Sequence, residues 1–200
     1  MTETNRATPI AGYTYGTTAV APSPVSLAEF DLLEQTATFG PDDVHWLRRA
    51  GAILAGQAED MVDTWRAVIA TYPHLAHYSA GPDGEPNRRY SAASKPRFVQ
   101  WVRDTCERPY DQTWLDYQHE IGLRHTRAKK NRTDDAASAP HIPLRYLLAF
   151  VPVVLLTTKP FLEKGGAPAE DVERMYAAWC KAVLLQVTLW SRAYCDAADW

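Results

Sequence analysis

The sequence predicts an all-α fold. Apolar residues recur at three- and four-residue steps through most of the chain, which is the spacing that places them on one face of a helix. Proline and glycine interrupt this pattern where turns between helices are expected. No stretch alternates apolar and polar residues over the length of a strand, and no internal repeat is visible. The length of 200 residues favours a single domain.

Residues 1–25 show no helical periodicity and are rich in Thr, Ala, Pro and Gly, with AGYTYG in the middle. We predict an arm or loop over 1–25 that packs on a domain over 26–200, and a disordered tail is the alternative. Ser26 begins the first helix, because Glu29 follows three residues later and completes a capping box. Gly40-Pro41 ends that helix.

The next helical pattern is long. Asp42 and Asp43 favour the positive N-terminus of a helix, and we predict one helix from there to Pro73. Its apolar face is formed by Val44, Leu47, Leu54, Met61, Trp65 and Val68. The sequence GPDGEPN (81–87) is a turn cluster. In the helix that follows, Pro96 predicts a kink or a new start.

Two further helices complete the chain. Pro143 begins the first, Pro152 is expected to kink it, and the glycines that follow Lys164 indicate its C-terminal cap. Pro168 begins the last helix. The buried side of that helix is predicted to contain Val172, Met175, Trp179, Leu184, Val187 and Trp190.

The stretch from Tyr110 to Arg132, YDQTWLDYQHEIGLRHTRAKKNR, contains the main candidate for a functional residue. At 100° per residue, one helix face about 100° wide contains Trp114, Tyr117, Gln118, Ile121 and His125. His119 lies outside this face. His125 is therefore either a core histidine bonded to a carbonyl or an axial ligand of haem iron, and periodicity does not decide between the two.

Composition excludes some other classes. The formal net charge of −3 gives no basic field for nucleic acid. The three cysteines show no metal-type spacing and suit a reducing compartment. The first residues lack a basic region followed by an apolar one, so we expect no secretion signal. The longest apolar run, 147–156, is about half of the ~20 residues that a membrane span needs. We expect a cytoplasmic protein that binds neither nucleic acid nor membrane.

Four segments carry a resemblance to a known family: PIAGYTYG (9–16), YDQTWLDYQHEIGLRHTRAKKN (110–131), PHIPLRYLLAF (140–150) and the ending from Phe161 to Trp190. They resemble the protoglobins, which are single-domain haem proteins related to the haem domains of globin-coupled sensors. The resemblance implies a globin-like helical sandwich, expanded by an N-terminal helix and a preceding loop. It also implies haem b as the cofactor, with His125 as the proximal iron ligand. Diatomic gases (O2, CO and NO) are the implied ligands, and a homodimer through the last two long helices is the implied assembly.

The same resemblance implies a distal pocket opposite His125. Trp65, Phe98, Phe150 and Val154 match positions that line this pocket in the family, although core packing is the commoner role of any one such residue. The full set of expected haem-contacting residues is Trp65, Arg66, Ile69, Phe98, Tyr117, Ile121, Leu147, Phe150 and Val154.

Arg66 departs from the family pattern, which usually has a tyrosine after the helical tryptophan. Its guanidinium either donates to bound dioxygen or peroxide, or extends to the surface and leaves the pocket apolar. A gas-binding haem protein is therefore the main functional hypothesis. The alternative is a haem enzyme (peroxidase-like, NO-detoxifying or carbene-transfer) that uses Arg66 as the distal donor. A haem-free helical interaction module is a third possibility.

Overall fold

The computed structural model describes residues 9–200, so residues 1–8 of the predicted arm lie outside it. This described part forms eight α-helices and one 3-10 turn, and it contains no strand. The all-α prediction is therefore confirmed. The helices are α1 (Leu27–Thr36), α2 (Pro41–Leu54), α3 (Ala58–Thr71), α4 (Pro73–Ala76), α5 (Arg88–Glu107), α6 (Gln112–His125), α7 (Leu144–Glu163) and α8 (Ala169–Ser191), and the 3-10 turn is His77–Ser79.

The start of α1 is as the sequence predicts. The backbone N–H of Glu29 donates to Ser26 Oγ at 3.2 Å, and the backbone N–H of Ser26 donates to Glu29 Oε2 at 2.8 Å. This reciprocal capping box satisfies two donors that the helix itself leaves free. The capped helix buries Phe30 in the core.

The single long helix predicted up to Pro73 is wrong, because α2 ends at Leu54 and α3 begins at Ala58. Gln57 accounts for the break. Its side-chain amide donates to the carbonyls of Ile53 at 3.1 Å and Phe161 at 3.0 Å, which closes the end of α2 and joins it to α7. Apolar residues on both sides of the break face the same core, so the spacing alone does not reveal it.

Prolines 96 and 152 lie inside helices. Pro96 falls within α5, so the predicted new start at this position is wrong. Pro152 falls within α7, whose N-cap is Pro143 as predicted. Gly166, after the end of α7, has a φ of +70°, a left-handed conformation that glycine adopts without a steric cost.

Helix α8 is the centre of the packing. Its 23 residues contact α2, α5, α6 and α7, and Trp179 and Met175 are fully buried. The prediction that Leu184 lies on the buried side is wrong, because its side chain is exposed. Helix α7 is more exposed. It is long and apolar enough to cross a membrane by length and composition alone, but core helices pass the same test, and one such helix is weak support for a span.

Helices α2 and α5 approach each other closely at Gly51. A Cβ added to Gly51 would lie 2.8 Å from Cys106 Cβ, which is closer than two carbon atoms can approach without displacement. Cys106 is itself buried, so it cannot move into solvent. The lack of a side chain at Gly51 therefore sets the distance between the two helices.

We expect Gly51→Ala to lower the free energy of unfolding by about 1–3 kcal/mol, because the added methyl overpacks the contact between α2 and α5. Urea denaturation followed by circular dichroism measures the change. Gly56→Ala is the matched control, since a Cβ there meets nothing within 4 Å. Equal losses in the two variants would contradict the packing argument.

Candidate functional site

A cavity of about 1050 Å³ lies between α3, α5, α6, α7 and α8. This volume is at the upper end of the range for small-molecule sites, which is roughly 300–1,000 Å³. Most of the wall is apolar, and titratable side chains converge on it from α3, α5 and α6. The cavity is therefore large enough for a flat cofactor with several rings.

His125 is the last residue of α6 and lines this cavity. Its Nδ1 lies 2.8 Å from the carbonyl oxygen of Ile121. A carbonyl only accepts hydrogen bonds, so Nδ1 carries the proton and Nε2 keeps a free lone pair. Burial lowers the pKa of His125, which favours the neutral imidazole that metals bind.

Trp190 of α8 packs against the His125 ring. The two ring centroids are 5.8 Å apart and the rings are inclined by 21°. The indole N–H of Trp190 donates to Gln118 Oε1 at 2.8 Å, which fixes the ring between two residues of α6. Gly122 permits this contact, because a Cβ there would lie 3.1 Å from the Trp190 carbonyl oxygen. The sequence placed Trp190 and Gln118 on buried faces but did not pair them.

Nearly all of the predicted haem-contacting residues line the same cavity. They are Arg66, Ile69, Phe98, Tyr117, Ile121, Leu147, Phe150 and Val154. Trp65 does not line it. Trp65 is fully buried, its indole donates to Thr157 Oγ1 at 2.7 Å, and its ring packs against Phe98 with centroids 5.2 Å apart. Trp65 therefore packs behind Phe98, which lines the cavity.

Arg66 lines the cavity from α3. In the described part of the chain its one hydrogen bond runs from Nη1 to Ser94 Oγ at 3.4 Å, and no carboxylate pairs with it. The nearby Asp63 instead pairs with Lys95 at 2.9 Å. Burial lowers the pKa of Arg66, although a guanidinium remains charged at any ordinary pH. The cavity wall therefore contains a half-buried cation that makes no ion pair among the described residues, although the charge of Asp63 acts on it from a distance.

Two other arginines of the cavity wall are already paired. Arg97 makes a bidentate contact with Asp134 at 2.6 and 3.0 Å. Arg124 contacts Glu120 at 2.9 Å. All four of these side chains are largely buried, so the pairs are rigid rather than solvated. Sequence reasoning missed Arg97 and Arg124, because their partners are side chains that only the fold brings near.

These two arginines also hold residues 9–25 against α5 and α6. Arg97 donates to the carbonyl of Ala11 at 2.8 Å, and Arg124 donates to the carbonyl of Gly12 at 2.8 Å. Gly12 has a φ of +71°, and a Cβ there would lie 2.8 Å from the Arg97 guanidinium. The arm thus needs glycine at this turn.

Tyr13 and Tyr15 of the arm pack edge-on against Tyr117, with centroids 5.3 and 5.4 Å away. The hydroxyl of Tyr13 donates to Asp104 Oδ2 at 2.6 Å. Since Tyr117 lines the cavity, the arm forms a second layer behind that wall. Burial raises the pKa of Tyr117 to about 12, so its hydroxyl stays protonated.

Comparison with known proteins identifies the family. The Protoglobin family profile matches residues 26–200. The chain belongs to the protoglobin family. Among solved structures, the globin domain of a globin-coupled sensor from Geobacter sulfurreducens is similar to this protoglobin, with a TM-score of 0.63 and 14% identity. The match covers 83% of this chain and 97% of that domain, which shows a shared globin fold. A search of curated proteins finds no significant match.

The residues of this protoglobin fit the haem that the family implies. The His125 imidazole lines the cavity and its Nε2 makes no hydrogen bond among the described residues, while Phe98, Phe150 and Val154 provide apolar surface for a flat ring. Arg66 is an unpaired cation that a haem carboxylate or an anionic ligand can neutralise. The fold and the family together support a haem-binding globin-type protein.

Proposed function

We propose that this protoglobin binds haem b through His125 and uses it to bind O2, CO and NO reversibly. The observation that carries the proposal is the free Nε2 of His125 on the wall of a cavity of about 1050 Å³. A haem iron held by one histidine has an open position on its other face, where a gas binds. The contact between Nδ1 and the Ile121 carbonyl increases the basicity of the ligating nitrogen and fixes the ring.

The distal wall in this proposal is mostly apolar. Ile69, Phe98, Phe150 and Val154 come from three helices and line the cavity together. Such a wall excludes water and leaves space for small uncharged ligands. We also place Arg66 on this wall, and we propose that its guanidinium donates to the partial negative charge on bound dioxygen.

We expect haemin to bind the wild type and to give, after reduction, a five-coordinate ferrous spectrum that shifts with CO. His125→Gly should lose that spectrum, because the variant lacks the imidazole proposed to bind the iron, and added imidazole should restore it. His119→Gly is the matched control, since His119 lies on the same helix but does not line the cavity. The measurement is Soret absorption with and without CO. A wild-type spectrum in His125→Gly would refute the assignment.

We also propose that the protein is a cytoplasmic homodimer through α7 and α8. Three exposed leucines support the interface: Leu148 and Leu156 on α7 are 50% and 69% exposed, and Leu184 on α8 is 49% exposed. Exposed leucines on two helices that pack against each other favour a protein contact. The three free cysteines support a reducing compartment.

Leu156→Glu should shift the protein from dimer to monomer, because the interface would then bury an unpaired charge. Analytical ultracentrifugation at matched protein concentration measures the change. Leu32→Glu on α1 is the control, since Leu32 is comparably exposed, at 62%, but lies on another helix. A wild-type monomer, or an unchanged dimer in Leu156→Glu, would exclude this interface.

Arg66 favours peroxide reduction as a second candidate function. An unpaired guanidinium beside an iron can stabilise the charge that develops when an O–O bond breaks. An apolar pocket without such a cation lacks this stabilisation. The contribution of Arg66 to peroxide turnover therefore distinguishes a peroxide-reducing protein from one that only binds gases.

We expect Arg66→Leu to slow peroxide turnover by roughly 10- to 100-fold, which corresponds to the loss of one charged hydrogen bond of ~1.5–3 kcal/mol. Azide affinity of the ferric protein should weaken in parallel, since azide is also an anion. Arg89→Leu on the exposed start of α5 controls for the loss of one positive charge. Equal turnover in wild type and Arg66→Leu would remove Arg66 from any catalytic role.

A further inference from the structure

Trp190 occupies an unusual position, because its ring lies between the proposed iron ligand and a cluster of other aromatic rings. On one side it is nearly parallel to His125, at a centroid distance of 5.8 Å. Its ring centroid also lies 6.0 Å from that of Trp101 on α5. It also lines the cavity itself. The indole is therefore in contact with the proposed ligand and continuous with the core.

The cluster extends from Trp101 to other indoles. Trp101 lies 6.0 Å from Trp65 and 5.8 Å from Trp179 between ring centroids. Phe98 fills the space between Trp65 and Trp101, at 5.2 and 5.6 Å from them. Indole is one of the most easily oxidised side chains, and rings at these separations exchange an electron rapidly. The cluster can therefore share one positive charge over several rings.

Trp190 and Trp101 are the two central indoles of the cluster, and their hydrogen bonds are compatible with carrying a positive charge. Trp190 donates its N–H to Gln118, and Trp101 donates its N–H to Gln186 Oε1 at 2.7 Å. An amide oxygen accepts a hydrogen bond but is too weak a base to remove the proton. An oxidised indole here keeps its proton and carries a positive charge, which the faces of neighbouring rings stabilise.

We propose that Trp190 is a one-electron donor to the bound haem when the protein reduces a peroxide, with Trp101 sharing the resulting radical cation. The inference rests on the proposed binding of haem at His125. In the first step the O–O bond of hydrogen peroxide breaks, and one oxygen leaves as water with both peroxide protons. The other oxygen takes two electrons, one from the iron and one from the Trp190 indole.

A small phenol completes the cycle. Two phenol molecules each give up one electron and one proton, which restores Trp190 and the iron and releases the second oxygen as water. The sum is one hydrogen peroxide and two phenols converted to two waters and two phenoxyl radicals. The Trp190 indole lines the same cavity as His125.

The test uses ferric holoprotein mixed with one equivalent of hydrogen peroxide, without phenol, and frozen rapidly for electron paramagnetic resonance. We expect an organic radical signal that narrows when the protein contains ring-deuterated tryptophan. Trp190→Phe should lose this signal, because phenylalanine keeps the stacking but is much harder to oxidise. Trp46→Phe should keep it, since Trp46 contacts His45 and Arg49 rather than the cluster.

The outcomes separate the two proposals. If the wild type takes up no haem, the proposed function fails and this inference fails with it. Normal haem uptake without a tryptophan radical, or with the same radical in Trp190→Phe, overturns the role of Trp190 alone. If Trp190→Phe does not bind haem, peptide mass spectrometry of peroxide-treated wild type decides. Oxidation concentrated at Trp190, alone or together with Trp101, supports the proposal, and oxidation concentrated at other residues overturns it.

Discussion

The hydrogen bond between His125 Nδ1 and the Ile121 carbonyl is the constraint on which the site depends. The carbonyl is four residues earlier, in the last turn of α6. It accepts from the side chain of His125, and this bond sets the imidazole tautomer. The Ile142 N–H, donating to the His125 carbonyl at 2.9 Å, then fixes the residue's backbone. Because both its side chain and its backbone are fixed, His125 keeps Nε2 as the nitrogen that is free to bind a metal.

Helix α8 supports this arrangement through contacts that tolerate little change. Gly122 allows α6 to approach the Trp190 backbone, and the Trp190 ring then covers one face of the imidazole. The buried polar contacts of Gln118 and Gln186 prevent rotation of the two central indoles. A buried N–H without its acceptor costs about 1–3 kcal/mol, so these pairs select one packing of the aromatic core over the alternatives.

The sequence predicted those features that depend on residues close together in the chain, such as helix faces and helix caps. The 100° helical step placed His125 on the buried stripe and His119 off it, and the Ser26 capping box depends only on neighbouring residues. Long-range contacts were not predictable in this way. Gln57 ends α2 by bonding the carbonyl of Phe161, and Arg97 pairs with Asp134, 37 residues away. Periodicity shows that a side chain faces inward but not which partner it meets there.

Arg66 differs from the other arginines of the cavity wall in its pairing. Three arginines line the cavity, and two of them are neutralised by Asp134 and Glu120. Arg66 is half-buried and makes no ion pair among the described residues. Its guanidinium is therefore available to pair with a negative group that enters the cavity. The cavity thus combines a cation on its α3 wall with an indole beside His125.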